Sequence, residues 1–234
     1  LPLDGSLVAS PELPIGLADG EVRVRWRDGA PLEGAPTLAR FLDERRIDTS
    51  ALFDDSAGRG THWANYATGV GATLHELGHC LSLPHPADRT GVMSRAFDYF
   101  NRTFMLEERA SDNSPALAPV RPEHETGWDR SGAVRLGFHR WLAPIHVDYA
   151  LTARPELLET ETLVTLSSRA GLRHIAWSVS GDVVGHDEFL DVPPPSVSQT
   201  KSALRQRFPG VATLGVSVID NDGNIGEQPI ALGE

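Results

Sequence analysis

His75-Glu76-Leu77-Gly78-His79 places two imidazoles four positions apart beside a carboxylate, and His85 follows six residues later. On an α-helix, residues i and i+4 lie one turn apart on the same face, so both rings can reach a single cation. A catalytic zinc ion takes three protein ligands and keeps one position for water. His85 is the candidate for the third. Leu83 precedes Pro84, and a residue before proline is disfavoured in helical conformation, so the helix should end by Ser82 or Leu83. The turn that follows can carry His85 back towards His75 and His79, with Pro86 stiffening its far side.

Glu76 lies about 100° around the helix from His75, off the metal yet near water activated by it. Zinc lowers the pKa of water from ~15.7 to about 7. Glu76 then fits the general base that takes a proton from the attacking water and passes it to the leaving amine. The chemistry expected is hydrolysis of a peptide bond with no covalent intermediate.

The elements that must position these groups come next. Thr68 reads as an N-cap, with Gly69 and Gly71 as helix-entry residues. Val70, Leu74, Leu77 and Leu81 form an apolar stripe, expected to face the core and leave His75 and His79 opposite it. Upstream, Val22 to Trp26 alternates like a strand ending at an Asp28-Gly29 turn, and residues 37–46 read as an amphipathic helix. Thr61 to Tyr66 is a candidate cleft-edge strand for pairing with substrate backbone. Residues 98–108 and 130–142 have helical spacing around a polar loop at 109–127. From about 160, residues 161–168, 171–181 and 212–223 alternate like strands, broken by Pro193-Pro194-Pro195 and an Asp222-Gly223 turn.

Competing assignments are weaker. A closed structural zinc site needs a fourth ligand, usually cysteine, and Cys80 points about 100° away from His79 on the helix. Glu107 or Glu108 could replace His85 as a distant third ligand, but the histidine already stands at a suitable spacing. His62, His124, His139, His146, His174 and His186 have no ligand spacing. Asp220 to Gly223 lacks the twelve-residue pattern of a calcium loop and reads as a hairpin turn.

An excess of 32 acidic over 21 basic side chains, formally -11, repels phosphate backbones and argues against nucleic acid as a partner. With 40% hydrophobic and 23% charged residues the chain is of globular composition. No apolar run reaches the ~20 residues of a membrane span, so a soluble protein is expected. The one cysteine excludes an internal disulfide and leans towards a cytoplasmic over a secreted setting. The chain starts at Leu1 and not at methionine, as a processed product or an excerpt of a longer protein would.

The run His75-Glu76-x-x-His79-x-x-Ser82-x-x-His85, followed by Gly91-Val92-Met93-Ser94, resembles the long zinc signature and methionine turn of the metzincin metallopeptidases. Within that clan, residues 62–104 resemble a zinc metallopeptidase family best represented in fungi, over roughly a fifth of the chain. The resemblance implies an α+β, metzincin-like catalytic domain with an active-site helix, and Met93 as a hydrophobic floor beneath one catalytic zinc. It implies a zinc metalloendopeptidase acting on peptides or proteins. The expected division is a catalytic domain at 1–155 and a small β-rich domain at 156–234, the former N-terminally incomplete because only 74 residues precede His75. Ser82 stands where metzincins carry glycine; a left-handed backbone there costs a non-glycine residue about 1 to 2 kcal/mol. The alternative is an inactive peptidase-like module that binds a protein or glycan, against which the intact Glu76 argues.

Overall fold

The computed structural model describes residues 40–87, 89–142 and 154–233, together with the strands β1 (Ile15–Ala18) and β2 (Glu21–Val24), which pair antiparallel. The fold is mixed α+β. Two compact units divide it, one comprising residues 1–71 and 98–125, the other residues 72–97 and 126–234. The expected Asp28-Gly29 turn and His146 lie outside the described residues.

In the first unit, Arg59 is almost wholly buried and acts as the hub. Its guanidinium donates to the Ala64 carbonyl at 3.2 Å, to Thr68 Oγ1 at 2.7 Å and to the Asp98 carbonyl at 2.5 Å. It also faces the rings of Trp63 and Tyr99. Nε and one terminal nitrogen make its hydrogen bonds and offset much of the cost of burying the charge, while the other terminal nitrogen is buried with no hydrogen-bond partner among the described residues. Phe41 packs edge-to-face on both Tyr66 and Phe104 in the same unit. Glu108 is buried and bound by Arg102 and Asn101, the Asn101 amide donating at 2.9 Å.

The second unit carries the main core. A five-stranded sheet has the order β10-β9-β6-β7-β3, with β3 at His85–Pro86, β6 at Leu172–Val179, β7 at Asp182–Glu188, β9 at Thr213–Asp220 and β10 at Ile225–Ala231. A second, antiparallel sheet has the order β4-β5-β8 (Glu156–Glu159, Leu163–Ser167, Ser196–Thr200). Val164 and Leu166 of the smaller sheet pack with Trp177, Leu214, Val216 and Ile230 of the larger one, together with Leu204 and Phe208. Leu204 lies on a short helix, Lys201–Arg207, capped by the Thr200 hydroxyl. Pro229 sits in β10, an edge strand, where a missing N–H breaks no ladder.

Three elements position the candidate site. Helix α1 spans His62–Cys80. Helix α2 spans Arg130–Phe138 and is capped by Asp129, whose side chain accepts from the Gly132 N–H at 3.0 Å. The two-residue strand β3 runs parallel to β7, with His85 opposite Asp182.

Several sequence expectations change. Thr61 to Tyr66 is no strand, because α1 begins at His62. Thr68 is no cap: it sits inside the helix, where its hydroxyl receives Arg59, and Gly69 and Gly71 are helical too. The buried side of α1 is Trp63, Ala64, Ala67, Thr68, Gly71, His75 and Gly78, while Leu77 is 50% exposed. The apolar stripe is therefore not the buried face of the described residues. The helix expected over 37–46 is limited, among the described residues, to a turn near Arg40, and that over 98–108 is a 3-10 helix at Arg95–Thr103 kinked at Tyr99. Helix α2 stops four residues short of Leu142.

Candidate metal centre

The last two turns of α1 bring the Nε2 atoms of His75 and His79 to 3.1 Å. Leu83 then closes the helix: its N–H reaches back to the Gly78 carbonyl at 3.0 Å, and the Ser82 N–H to the His79 carbonyl at 2.9 Å. That pair of bonds is a Schellman end, which requires a left-handed residue between the last turn and the exit. Ser82 occupies that place with φ 61°. The chain reverses there and enters β3, placing His85 Nε2 3.1 Å from His79 Nε2 and 3.3 Å from His75 Nε2.

Three zinc–nitrogen bonds of about 2.0 to 2.1 Å in tetrahedral array separate the nitrogens by roughly 3.3 Å, so the three rings fit one such ion. The ring orientations agree. His75 Nδ1 donates to the Val92 carbonyl and His79 Nδ1 to the Leu83 carbonyl, each at 2.9 Å. A carbonyl can only accept, so Nδ1 carries the hydrogen and Nε2 of both rings presents a lone pair. Lone pairs converging at such distances repel unless a cation lies among them. Backbone carbonyls of this kind fix both tautomer and ring orientation in metal-binding histidines.

His75 is buried, whereas His79 and His85 are exposed, which leaves one side open to water and a larger molecule. Glu76 is exposed as well. Phe97 packs edge-on to His75 with centroids 5.0 Å apart. Met93 is fully buried in the Gly91–Ser94 turn, which is closed by the Ser94 N–H on the Gly91 carbonyl.

His75, His79 and His85 are the one cluster of potential metal ligands among the described residues. Glu108 is engaged by Arg102 and Asn101, and Cys80 is exposed and free. The remaining described histidines have other settings: His174, for example, is buried against Ser131 Oγ at 3.0 Å, and His139 ends α2. Sequence reasoning missed Arg135 on α2, which binds the Ser82 carbonyl at 3.1 Å from a position no motif marks. No helix among the described residues is long and apolar enough to cross a membrane.

Comparison with known proteins gives these observations a family context. The profile of the family described as "Putative peptidase family" matches residues 35–165, more than half of the chain. The chain is 36% identical over 144 residues to "Putative zinc metalloproteinase YIL108W" of Saccharomyces cerevisiae, covering 58% of the chain and 20% of that protein. It is 32% identical over 168 residues to "Putative zinc metalloproteinase C607.06c" of Schizosaccharomyces pombe, covering 70% of the chain and 27% of that protein. The chain thus spans about a fifth to a quarter of the length of these relatives. Among solved structures, wild-type OgpA from Akkermansia muciniphila aligns with a TM-score of 0.45 at 14% identity, over 75% of this chain and 52% of that one. A catalytically inactive OgpA in complex with an O-glycopeptide substrate aligns with a TM-score of 0.42. The chain belongs to the family that the profile defines, a zinc metallopeptidase family with members in these fungi.

Proposed function

We propose that the chain carries the catalytic centre of a zinc metalloendopeptidase of metzincin type, with His75, His79 and His85 as ligands and Glu76 as general base. The observation that supports it best is the convergence of three Nε2 atoms at 3.1 to 3.3 Å, with two of the rings oriented by main-chain carbonyls. Bound there, the ion supplies Lewis acidity, which acidifies water to a pKa of about 7 and polarises a carbonyl group.

The protein's own residues do the rest. His79 and His85 border the open side, where an extended peptide can approach. Glu76, exposed and next in sequence to His75, accepts the proton of the attacking water at a carboxylate oxygen and returns it to the departing amine. Met93, in the methionine-turn position, packs under the ligand helix and supports it. The substrate is a peptide or protein, in keeping with the fungal relatives whose names describe them as zinc metalloproteinases.

The test is zinc content paired with chelator-sensitive peptide cleavage. Glu76→Gln is expected to retain zinc and lose cleavage, whereas His79→Ala loses both. An unchanged cleavage rate in Glu76→Gln overturns the assignment of the base. Zinc-loaded, folded parent protein that cleaves no peptide library favours instead the inactive peptidase-like module that binds a protein or glycan.

A further inference from the structure

Arg135 projects from the middle of α2 and is 98% removed from solvent at its side chain. One terminal nitrogen donates to the Ser82 main-chain carbonyl at 3.1 Å and the other to Ser217 Oγ of β9 at 2.9 Å. Ser217 Oγ in turn donates to Glu227 Oε1 at 2.8 Å. A guanidinium holds two acceptors at fixed spacing because its donors are coplanar. Arg135 therefore couples a single point of the ligand turn to the five-stranded sheet.

That point matters because Ser82 is the pivot between the ligands. His75 and His79 precede it on α1, and His85 follows it on β3. Two constraints already act on the pivot from within the turn, the bonds from Ser82 and Leu83 N–H to the last helical carbonyls. Neither fixes the turn to the sheet from which His85 hangs. The β3–β7 pairing covers only two residues, too little to hold a strand on its own. Helix α2 is well placed to supply the missing constraint. The segment leading into it accepts the Val92 N–H at the Gly127 carbonyl, 2.7 Å, and Val92 in turn orients His75. The same short helix is thus connected with the surroundings of His75 near its start and with the turn to His85 at its centre.

We propose that Arg135 is a positioning residue for the metal centre, holding the Ser82 carbonyl so that His85 Nε2 meets the other two imidazoles. The inference rests on the three-histidine reading given above and goes beyond it by assigning an outer residue that controls one ligand. Loss of groups that orient metal ligands typically weakens metal binding by about 10- to 100-fold, and the same range is expected here.

The experiment is a double-mutant cycle on zinc affinity, read by competition with a chromophoric chelator, for the parent chain, Arg135→Met, His85→Ala and the double variant. Visible absorption of the cobalt-loaded proteins reports the ligand field separately. Arg135→Met should weaken zinc by about 10- to 100-fold and alter the cobalt spectrum. In the His85→Ala background the same change should have almost no further effect, since its route to the metal is gone. Equal weakening in both backgrounds would mean general loosening and overturn the proposal, as would unchanged affinity in Arg135→Met. If His85→Ala binds zinc as tightly as the parent, the triad reading fails and the proposal fails with it. Should Arg135→Met not fold, Arg135→Lys carries the same cycle: it keeps the buried charge but lacks the planar fork, and a smaller loss confined to the His85-containing background is expected.

Discussion

The sulfur of Met93 lies where a Cβ on Gly78 would have to be. Gly78 is the residue before His79, one of the three proposed ligands, and Met93 is fully buried. The absence of a side chain at 78 therefore lets the Gly91–Ser94 turn approach helix α1 closely. The approach also brings Val92, one residue earlier, within reach of His75 Nδ1.

Gly78→Ala is the direct probe of this packing. Alanine is the better helix former by about 1 kcal/mol, so an open site would make the change stabilising. Overpacking a closed core costs about 1 to 3 kcal/mol, and the clash with Met93 should prevail. Chemical denaturation is expected to show net destabilisation, and chelator competition weaker zinc binding. A gain in stability would show that the sulfur moves aside at no cost.

Ser82 gives the opposite sign. Its φ of 61° is a left-handed backbone that costs an L-residue about 1 to 2 kcal/mol, whereas glycine adopts it freely. Glycine loses more freedom on folding, roughly 0.5 to 1 kcal/mol. Ser82→Gly should therefore stabilise the chain by up to about 1 kcal/mol, seen as a Tm higher by about 2 to 4 °C. A fall in Tm would mean that the serine hydroxyl contributes a contact that outweighs the strain.

The clustering of His75, His79 and His85 was legible from sequence because four-residue spacing and a proline after the helix are both local rules. Helix α1 itself was read less well, for a physical reason. Periodicity assumes that the buried face is the apolar one. In α1 the buried side is built from Ala64, Ala67, Thr68, Gly71, His75 and Gly78, small or polar groups that let other segments come close, and Leu77 is left half exposed. The pair Gly69 and Gly71 looked like a helix start, although tertiary packing of Trp63 and Ala64 extends the helix back to His62. In the rear sheets, strands with clean alternation such as β6 and β9 were visible. β7, which ends in Gly185-His186-Asp187-Glu188, and β10, which contains Pro229, were not, since pairing with β6 and β9 decides their conformation over their own weak propensity. Arg135 escaped because nothing local distinguishes a buried arginine from a surface one.

Zinc bound at the three proposed ligands should stabilise the folded chain. A ligand that binds only the native state at 1,000 times its Kd adds about 4 kcal/mol, equivalent for a chain of this length to a Tm rise of roughly 8 to 16 °C. Thermal unfolding of chelator-treated protein, with and without added zinc, measures the shift. His79→Ala should abolish most of it. A shift that survives His79→Ala would place the stabilising ion elsewhere.

Acid should destabilise the fold through a second histidine that has no part in the metal centre. His174 is fully buried in β6. Burial, with lesser contributions from the charges of Arg135 and His186, lowers its pKa from 6.5 to about 3. Ser131 Oγ lies 3.0 Å from its Nε2, and the ring stacks on His186 from the neighbouring strand β7. In the unfolded chain this imidazole takes up a proton below pH 6.5, while in the native chain it stays neutral down to about 3. The unfolded state then binds more protons, so stability is complete above pH 6.5 and declines as pH falls through that window, by about 1.4 kcal/mol per pH unit at most. Urea unfolding of parent and His174→Gln, carried out on metal-free protein from pH 7 to pH 4, isolates the contribution because other acid-sensitive groups are common to both. The variant is expected to be less stable at pH 7, from altered packing, and to show a shallower decline towards pH 4. Parallel curves for the two proteins would mean that His174 is protonated in the native state over the same range as in the unfolded chain.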